Sequence, residues 1–192
     1  IAAATQALTL EPGRRELYPL RGKAYLATGN EAKALEDLYA AMAAAPNDKS
    51  LVLTVARLQH KQGRLDQALQ QYRTAIGLDP NLGDAQLGLA DVMVARNDFE
   101  GGRDPAAKAA ALLPDQARGH YLHARILEHD KQIDAALAAY AKAASLDASL
   151  AGAHYGQGRI LREHKKDIAG AQASLEKAAA LDGGDPGILT EL

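Results

Sequence analysis

The sequence predicts an all-α fold, a right-handed α-solenoid (superhelix) of 34-residue helix-turn-helix hairpins, from three observations. Pro12, Pro46, Pro80 and Pro114 stand 34 residues apart. Between them, apolar residues recur three and four apart in two runs per segment, which is the period of amphipathic helices. The runs are parted by Gly29-Asn30, Gly63-Arg64 or Asn97-Asp98, residues that accept the backbone a helix end needs. A fixed period of this length means units that cannot bury their apolar faces alone and must stack.

Taken in order, residues 1–14 read as the second helix of an incomplete repeat, with Ile1 to Leu10 as its helical part. Complete hairpins are expected at 15–48, 49–82, 83–116, 117–150 and 151–184, and residues 185–192 read as the start of a further first helix. Small residues such as Gly22, Ala34, Ala56, Ala68 and Ala90 let paired helices approach closely. Asp79-Pro80-Asn81 closes one hairpin and opens the next, because proline disfavours helix for the residue before it. Neither end carries the polar capping helix a solenoid needs, and the first residue is Ile. One continuous solenoid, forming part of a longer protein, is therefore expected.

The period is broken in three places. In "NDFEGGRDPAAKAA" the glycines Gly101 and Gly102 stand where a second helix should begin, and Pro105 follows. Proline inside a helix loses a hydrogen bond and clashes with the carbonyl four residues back. The expectation is a delayed helix with Asp104 as N-cap and Pro105 at its first position, leaving an irregular loop at 99–104. Further on, "RILEHDKQI" from Arg125 returns as "RILREHKKDI" from Arg159, so one extra residue near Arg162 lengthens the fifth hairpin. The fourth boundary has Asp147-Ala148-Ser149 in place of a proline turn, and either a running helix or a looser turn fits it.

At matching offsets the first hairpin carries Tyr18, Gly22, Tyr25, Gly29, Ala34, Leu38, Ala41 and Pro46, and the second Val52, Ala56, Gln59, Gly63, Ala68, Tyr72, Ala75 and Pro80. This order resembles the tetratricopeptide repeat, and Gly63 to Asn81 is close to that family's second helix and turn. The resemblance implies a protein-interaction scaffold whose concave groove is lined by the first helices. Carried over, the ninth residue of each hairpin gives Lys23, Arg57, Asp91, Arg125 and Arg159, and the fifth gives Pro19, Leu53, Leu87, Tyr121 and Tyr155. The twelfth and thirteenth positions add His60, Lys61, Glu128, His129, Arg162 and Glu163. The groove so described offers a broken basic ladder beside an apolar and aromatic strip. It suits a protein or peptide partner with acidic and apolar residues. The competing reading is that the cations merely pair with neighbouring acids. The sixth position reads Leu20, Thr54, Gly88, Leu122 and Gly156 without asparagine, so the family's lysine-and-asparagine clamp is absent.

Other classes fare worse. A net charge of −2 makes no case for nucleic acid or for an anionic membrane. No apolar run is long enough to enter a bilayer, and the lack of cysteine excludes disulfides and thiolate chemistry. His120, His123, His129 and His154 invite a zinc reading, but His120, His123 and His154 fall at positions that pack the helix pair. No motif activates a serine or threonine, so no cofactor, metal or catalytic residue is expected. The Ala-rich style resembles bacterial scaffolds of cell-envelope export, polysaccharide secretion and pilus machinery, and nothing chooses between periplasm and cytoplasm. Two alternatives stay open: a spacer that self-associates through its terminal helices, and a regulatory segment attached to an enzyme domain elsewhere.

Overall fold

Eleven α-helices and one π-helical turn, with no strand, make up the described residues, 1–11 and 13–182, of the computed structural model. The helices are α1 (Ala2–Leu10), α2 (Leu17–Ala27), α3 (Glu31–Ala44), α4 (Lys49–Lys61), α5 (Leu65–Leu78) and α6 (Gly83–Ala95). They continue as α7 (Phe99–Leu112), α8 (Ala117–His129), α9 (Ile133–Leu146), α10 (Ala151–Ile160) and α11 (Ile168–Leu181), with the π turn at Leu161–Lys165. Pro12 and the expected helix start at 185–192 lie outside the described residues. The chain divides into two compact units, Ile1–Gly88 and Leu89–Leu192, with the boundary inside α6.

Each unit has its own core, built from one stripe of each helix. In unit 1, Ala34, Leu35, Leu38 and Ala41 of α3 meet Leu51, Val55 and Leu58 of α4. Tyr18, Tyr25 and Leu26 of α2 close over them. In unit 2, Ala124 of α8, Ala136, Tyr140 and Ala143 of α9, and Ala153 and Ile160 of α10 form the equivalent cluster. Alanine at the crossings lets helix axes come close, and burying these stripes supplies most of the stability such short helices have.

The turn inside each hairpin is one device repeated. Gly29, Gly63, Asn97, Lys131 and Lys166 all take left-handed φ, at +76°, +71°, +59°, +59° and +58°. The next residue's N–H then reaches back five residues, from Asn30 to the Tyr25 carbonyl, Arg64 to Gln59, Asp98 to Met93 and Gln132 to Leu127. These bonds satisfy carbonyls that the helix end would otherwise orphan. A side chain in this conformation costs roughly 1–2 kcal/mol, partly offset because glycine loses roughly 0.5–1 kcal/mol more backbone entropy on folding. Lys131→Gly and Lys166→Gly are accordingly expected to stabilise by about 0.5–1 kcal/mol each, and Gly63→Ala to destabilise by about 1 kcal/mol. Urea unfolding midpoints check all three.

Between hairpins the turn is equally regular. Asp48, Leu82, Gln116 and Leu150 each donate an N–H three residues back, to Ala45, Asp79, Leu113 and Asp147. The fourth boundary therefore keeps its turn without proline, and α9 does not run on. There the Asp147 carboxylate accepts from both the N–H and the hydroxyl of Ser149, a local closure of the kind aspartate favours. Those bonds hold the Asp147 carboxyl below the usual carboxylate range.

The expected loop at 99–104 is overturned. Helix α7 runs unbroken from Phe99, its N-cap is Asp98 and not Asp104, and Pro105 lies inside it. Asp98 accepts from the Gly101 N–H at 2.9 Å, which starts the helix at Phe99, two residues before the first glycine. A proline in a helix interior costs about 3 kcal/mol, but packing overrides it. Pro105 is buried, and a Cβ on Gly102 would come within 3.2 Å of both Met93 and Ile126. The glycine is there to let α7 sit close to its neighbours.

The extra residue near Arg162 also has a definite form. It widens the end of the fifth first helix into the π-helical turn Leu161–Lys165. The Lys166 and Asp167 N–H groups both return to the Leu161 carbonyl, so the loop-back is one residue longer than in the other hairpins. Asp167 then caps α11 by accepting from Gly170 at 2.9 Å.

Candidate functional site

The expected groove residues do not share one environment. In unit 1, Lys23 is exposed, Leu53 is buried and Leu87 is half-buried. Arg57 is paired with Asp84 at 2.6 Å, and Lys61 with Glu31 at 2.6 Å. His60 lies edge-on to Tyr72, whose hydroxyl oxygen is 3.5 Å from its Nδ1. In unit 2, Asp91 accepts from Arg118 at 2.5 Å. Much of the basic ladder is thus neutralised by the adjoining hairpin, as the competing sequence reading held.

Tyr121, Arg125, Tyr155 and Arg159 are brought together. They line a cleft of about 430 Å³ on α8 and α10 of unit 2, with Glu128, Gly152, Gly156 and Asp182 completing its walls. Its floor is a charged network. The buried Tyr140 hydroxyl donates to Glu128 Oε2 at 2.9 Å, and Arg159 donates to Glu128 Oε1. Burial first, then the charge of Glu128, push the Tyr140 hydroxyl well above its ordinary range. The Arg159 guanidinium also sits 5.8 Å from the Tyr155 ring centroid, and its Nε–H is enclosed without an acceptor.

Two glycines shape this cleft, and the sequence reading missed their purpose. On Gly156 an added Cβ would overlap the Tyr140 ring, and on Gly152 it would approach Tyr121 to 2.9 Å. Gly88 of unit 1 stands in the same relation to Tyr72. The sixth position of these hairpins is therefore occupied by the tyrosine of the preceding second helix. The signal was available: Tyr72 to Gly88 and Tyr140 to Gly156 are equal steps along the chain.

Two of the histidines serve the turns. His120 Nε2 lies 3.0 Å from the Pro114 carbonyl, and His154 Nε2 3.1 Å from that of Ala148. Gln86 does the same for Pro80 at 2.9 Å. A carbonyl only accepts, so these contacts place the ring proton on Nε2. Half-buried His123 has its pKa lowered by burial, and then by the charge of His120. His129 stacks on Phe99 with ring centroids 4.4 Å apart. Among the described residues no group of three or more His, Cys, Asp or Glu is placed to hold a metal ion.

Comparisons with known proteins agree with this architecture. One tetratricopeptide repeat model matches residues 59–126, and a second matches residues 117–150. No curated protein matches the chain significantly. Among solved structures, MamA 41-end from Desulfovibrio magneticus RS-1 is similar at a TM-score of 0.76 and 21% identity. That match covers 91% of this chain and 98% of the other. YrrB, described as a TPR protein with an unusual peptide-binding site, is similar at a TM-score of 0.79 and 17% identity, covering 98% and 96%. At these identities the likeness speaks for the fold alone, an α-solenoid of helical hairpins. With its repeated hairpins, its left-handed turn residues and two matching repeat models, the chain is built over residues 59–150 of tetratricopeptide repeats.

Proposed function

We propose that the chain is a non-catalytic scaffold that docks an extended segment of a partner protein in the α8–α10 cleft. The observation that carries this reading is the convergence of Tyr121, Arg125 and Tyr155 from two successive first helices on one opening. Its volume falls within the range of about 300–1,000 Å³ common to ligand pockets. Tyrosines held by packing supply contact area at little cost in rotamer entropy. The description of YrrB as peptide-binding supports the same kind of ligand. In this reading the chain is one passive part of a larger multiprotein assembly, such as a cell-envelope export or pilus machine.

The test is selection of binders from a random peptide library against the whole chain, repeated with Tyr155→Ala. Tyr155 is half-buried and lies outside the core cluster of unit 2, so the variant is expected to fold. Loss of a central aromatic contact is expected to weaken the selected peptides at least about tenfold. Peptides that bind the variant equally well place docking elsewhere and overturn the proposal. A failure to recover any binder also counts against it.

A further inference from the structure

The ninth residue of one hairpin and the second residue of the next form a recurrent ion-pair step. In unit 1 it is Arg57 with Asp84 at 2.6 Å. In unit 2 it recurs with the signs exchanged, as Asp91 with Arg118 at 2.5 Å. The following step sets Arg125 against Gly152, which has no side chain. Arg125 accordingly has no carboxylate partner among the described residues, and its guanidinium lies 5.9 Å from the Phe99 ring centroid. Lys23 and Ser50 form a further unmatched step; Arg125 is the one placed in the cleft with Tyr121 and Tyr155.

The rest of the cleft narrows the chemistry. Arg159 is committed to Glu128, which also takes the Tyr140 hydroxyl, so it is not a second vacant cation. Asp182 lines the same opening and disfavours a run of acids there, because like charges repel at short range. Tyr121 and Tyr155 flank Arg125 with apolar ring surface. One carboxylate beside an apolar residue matches this arrangement better than a polyacidic stretch does. The acid that meets arginine at the matched step is an aspartate side chain, not a chain end.

Building on the proposed docking site, we propose that Arg125 receives the side-chain carboxylate of a single Asp or Glu in the docked partner segment. That carboxylate supplies from outside the group which the second residue of the hairpin supplies at the Arg57 step. A planar guanidinium favours such a partner through paired, charge-assisted hydrogen bonds.

The experiment compares library-selected peptides with forms in which the acidic residue is changed to its amide, on wild type, Arg125→Gln and Arg125→Lys. On wild type the amide form is expected to bind about tenfold or more weakly, as for loss of a hydrogen bond to a charged group. With Arg125→Gln that discrimination is expected to vanish, and with Arg125→Lys to survive in part. Circular dichroism of each variant establishes that it folds. Equal discrimination by wild type and Arg125→Gln overturns the assignment, as does sensitivity to C-terminal amidation in place of side-chain amidation. Peptides that need Tyr155 but show no acidic preference defeat this inference alone. Peptides indifferent to Tyr155 defeat the docking site itself.

Discussion

Asp37→Ala is expected to cost unit 1 about 2–3 kcal/mol, the largest single-site loss outside the apolar core. Asp37 is buried on α3 and holds Arg21 of α2 in a two-bonded pair, at 2.8 and 2.7 Å. Arg21 is also framed by the rings of Tyr18 and Tyr25, at 5.8 and 5.9 Å. Removing the carboxylate leaves a desolvated guanidinium with no opposite charge, which in a fully enclosed pair costs about 3–5 kcal/mol. The Arg21 side chain keeps 17% exposure, so relaxation toward water trims the loss. A lower urea midpoint at unchanged slope is the expected reading. The double replacement Arg21→Met with Asp37→Leu is expected to recover most of it, since paired apolar groups need no desolvation of charge. A double variant as unstable as the single one would show that the pair does more than balance itself.

Gly156→Ala is the second, and here two effects of opposite sign compete. Alanine in a helix is worth about 1 kcal/mol over glycine. Against that, the new methyl falls on the ring of Tyr140, which is buried and anchored by Glu128. Overpacking of a fixed ring costs about 1–3 kcal/mol, and the anchoring puts this case toward the upper end. The expected net loss is about 2 kcal/mol. Gly77→Ala in α5 is the control: nothing lies within 4 Å of its would-be Cβ, so only the gain of up to about 1 kcal/mol remains. Thermal unfolding of the two variants should move in opposite directions. A stabilised Gly156→Ala would mean that Tyr140 moves aside readily, and the cleft floor would then be softer than its hydrogen bonds suggest.

The sequence was most legible where one residue decides a backbone conformation or a helix crossing. Gly29, Gly63 and Asn97 announced their turns, and Ala34 announced the close crossing of α3. Lys131 and Lys166 hold the same left-handed place without any local signal; spacing from Asn97 gives Lys131 away, and Lys166 is displaced by the one added residue before it. The loop expected at 99–104 arose from weighting Gly101, Gly102 and Pro105 above that spacing. Asp98 stands 68 residues after Asn30, and both cap a helix in the same manner. Following the period would have started α7 correctly. Tyr121, Arg125, Tyr155 and Arg159 were named from their positions. Their partners were not, because the opposing side chain comes from an adjoining hairpin, and the pairing of Arg159 with Glu128 or of Asp91 with Arg118 emerges only once hairpins are stacked.

The π-helical turn at Leu161–Lys165 bears on how a gene of this kind tolerates changes in length. The added residue is absorbed within five positions. Beyond it Lys166 takes the left-handed place and Asp167 the cap. Gly158 and Leu175 still pack α10 onto α11. A single-codon insertion at the end of a first helix therefore leaves the next helix facing the right way. The same codon inserted within α11 would turn everything after it by about 100°, carrying its buried stripe toward solvent. Insertions that survive in such a chain should accordingly collect just ahead of the left-handed residue, and the chain can lengthen there one amino acid at a time.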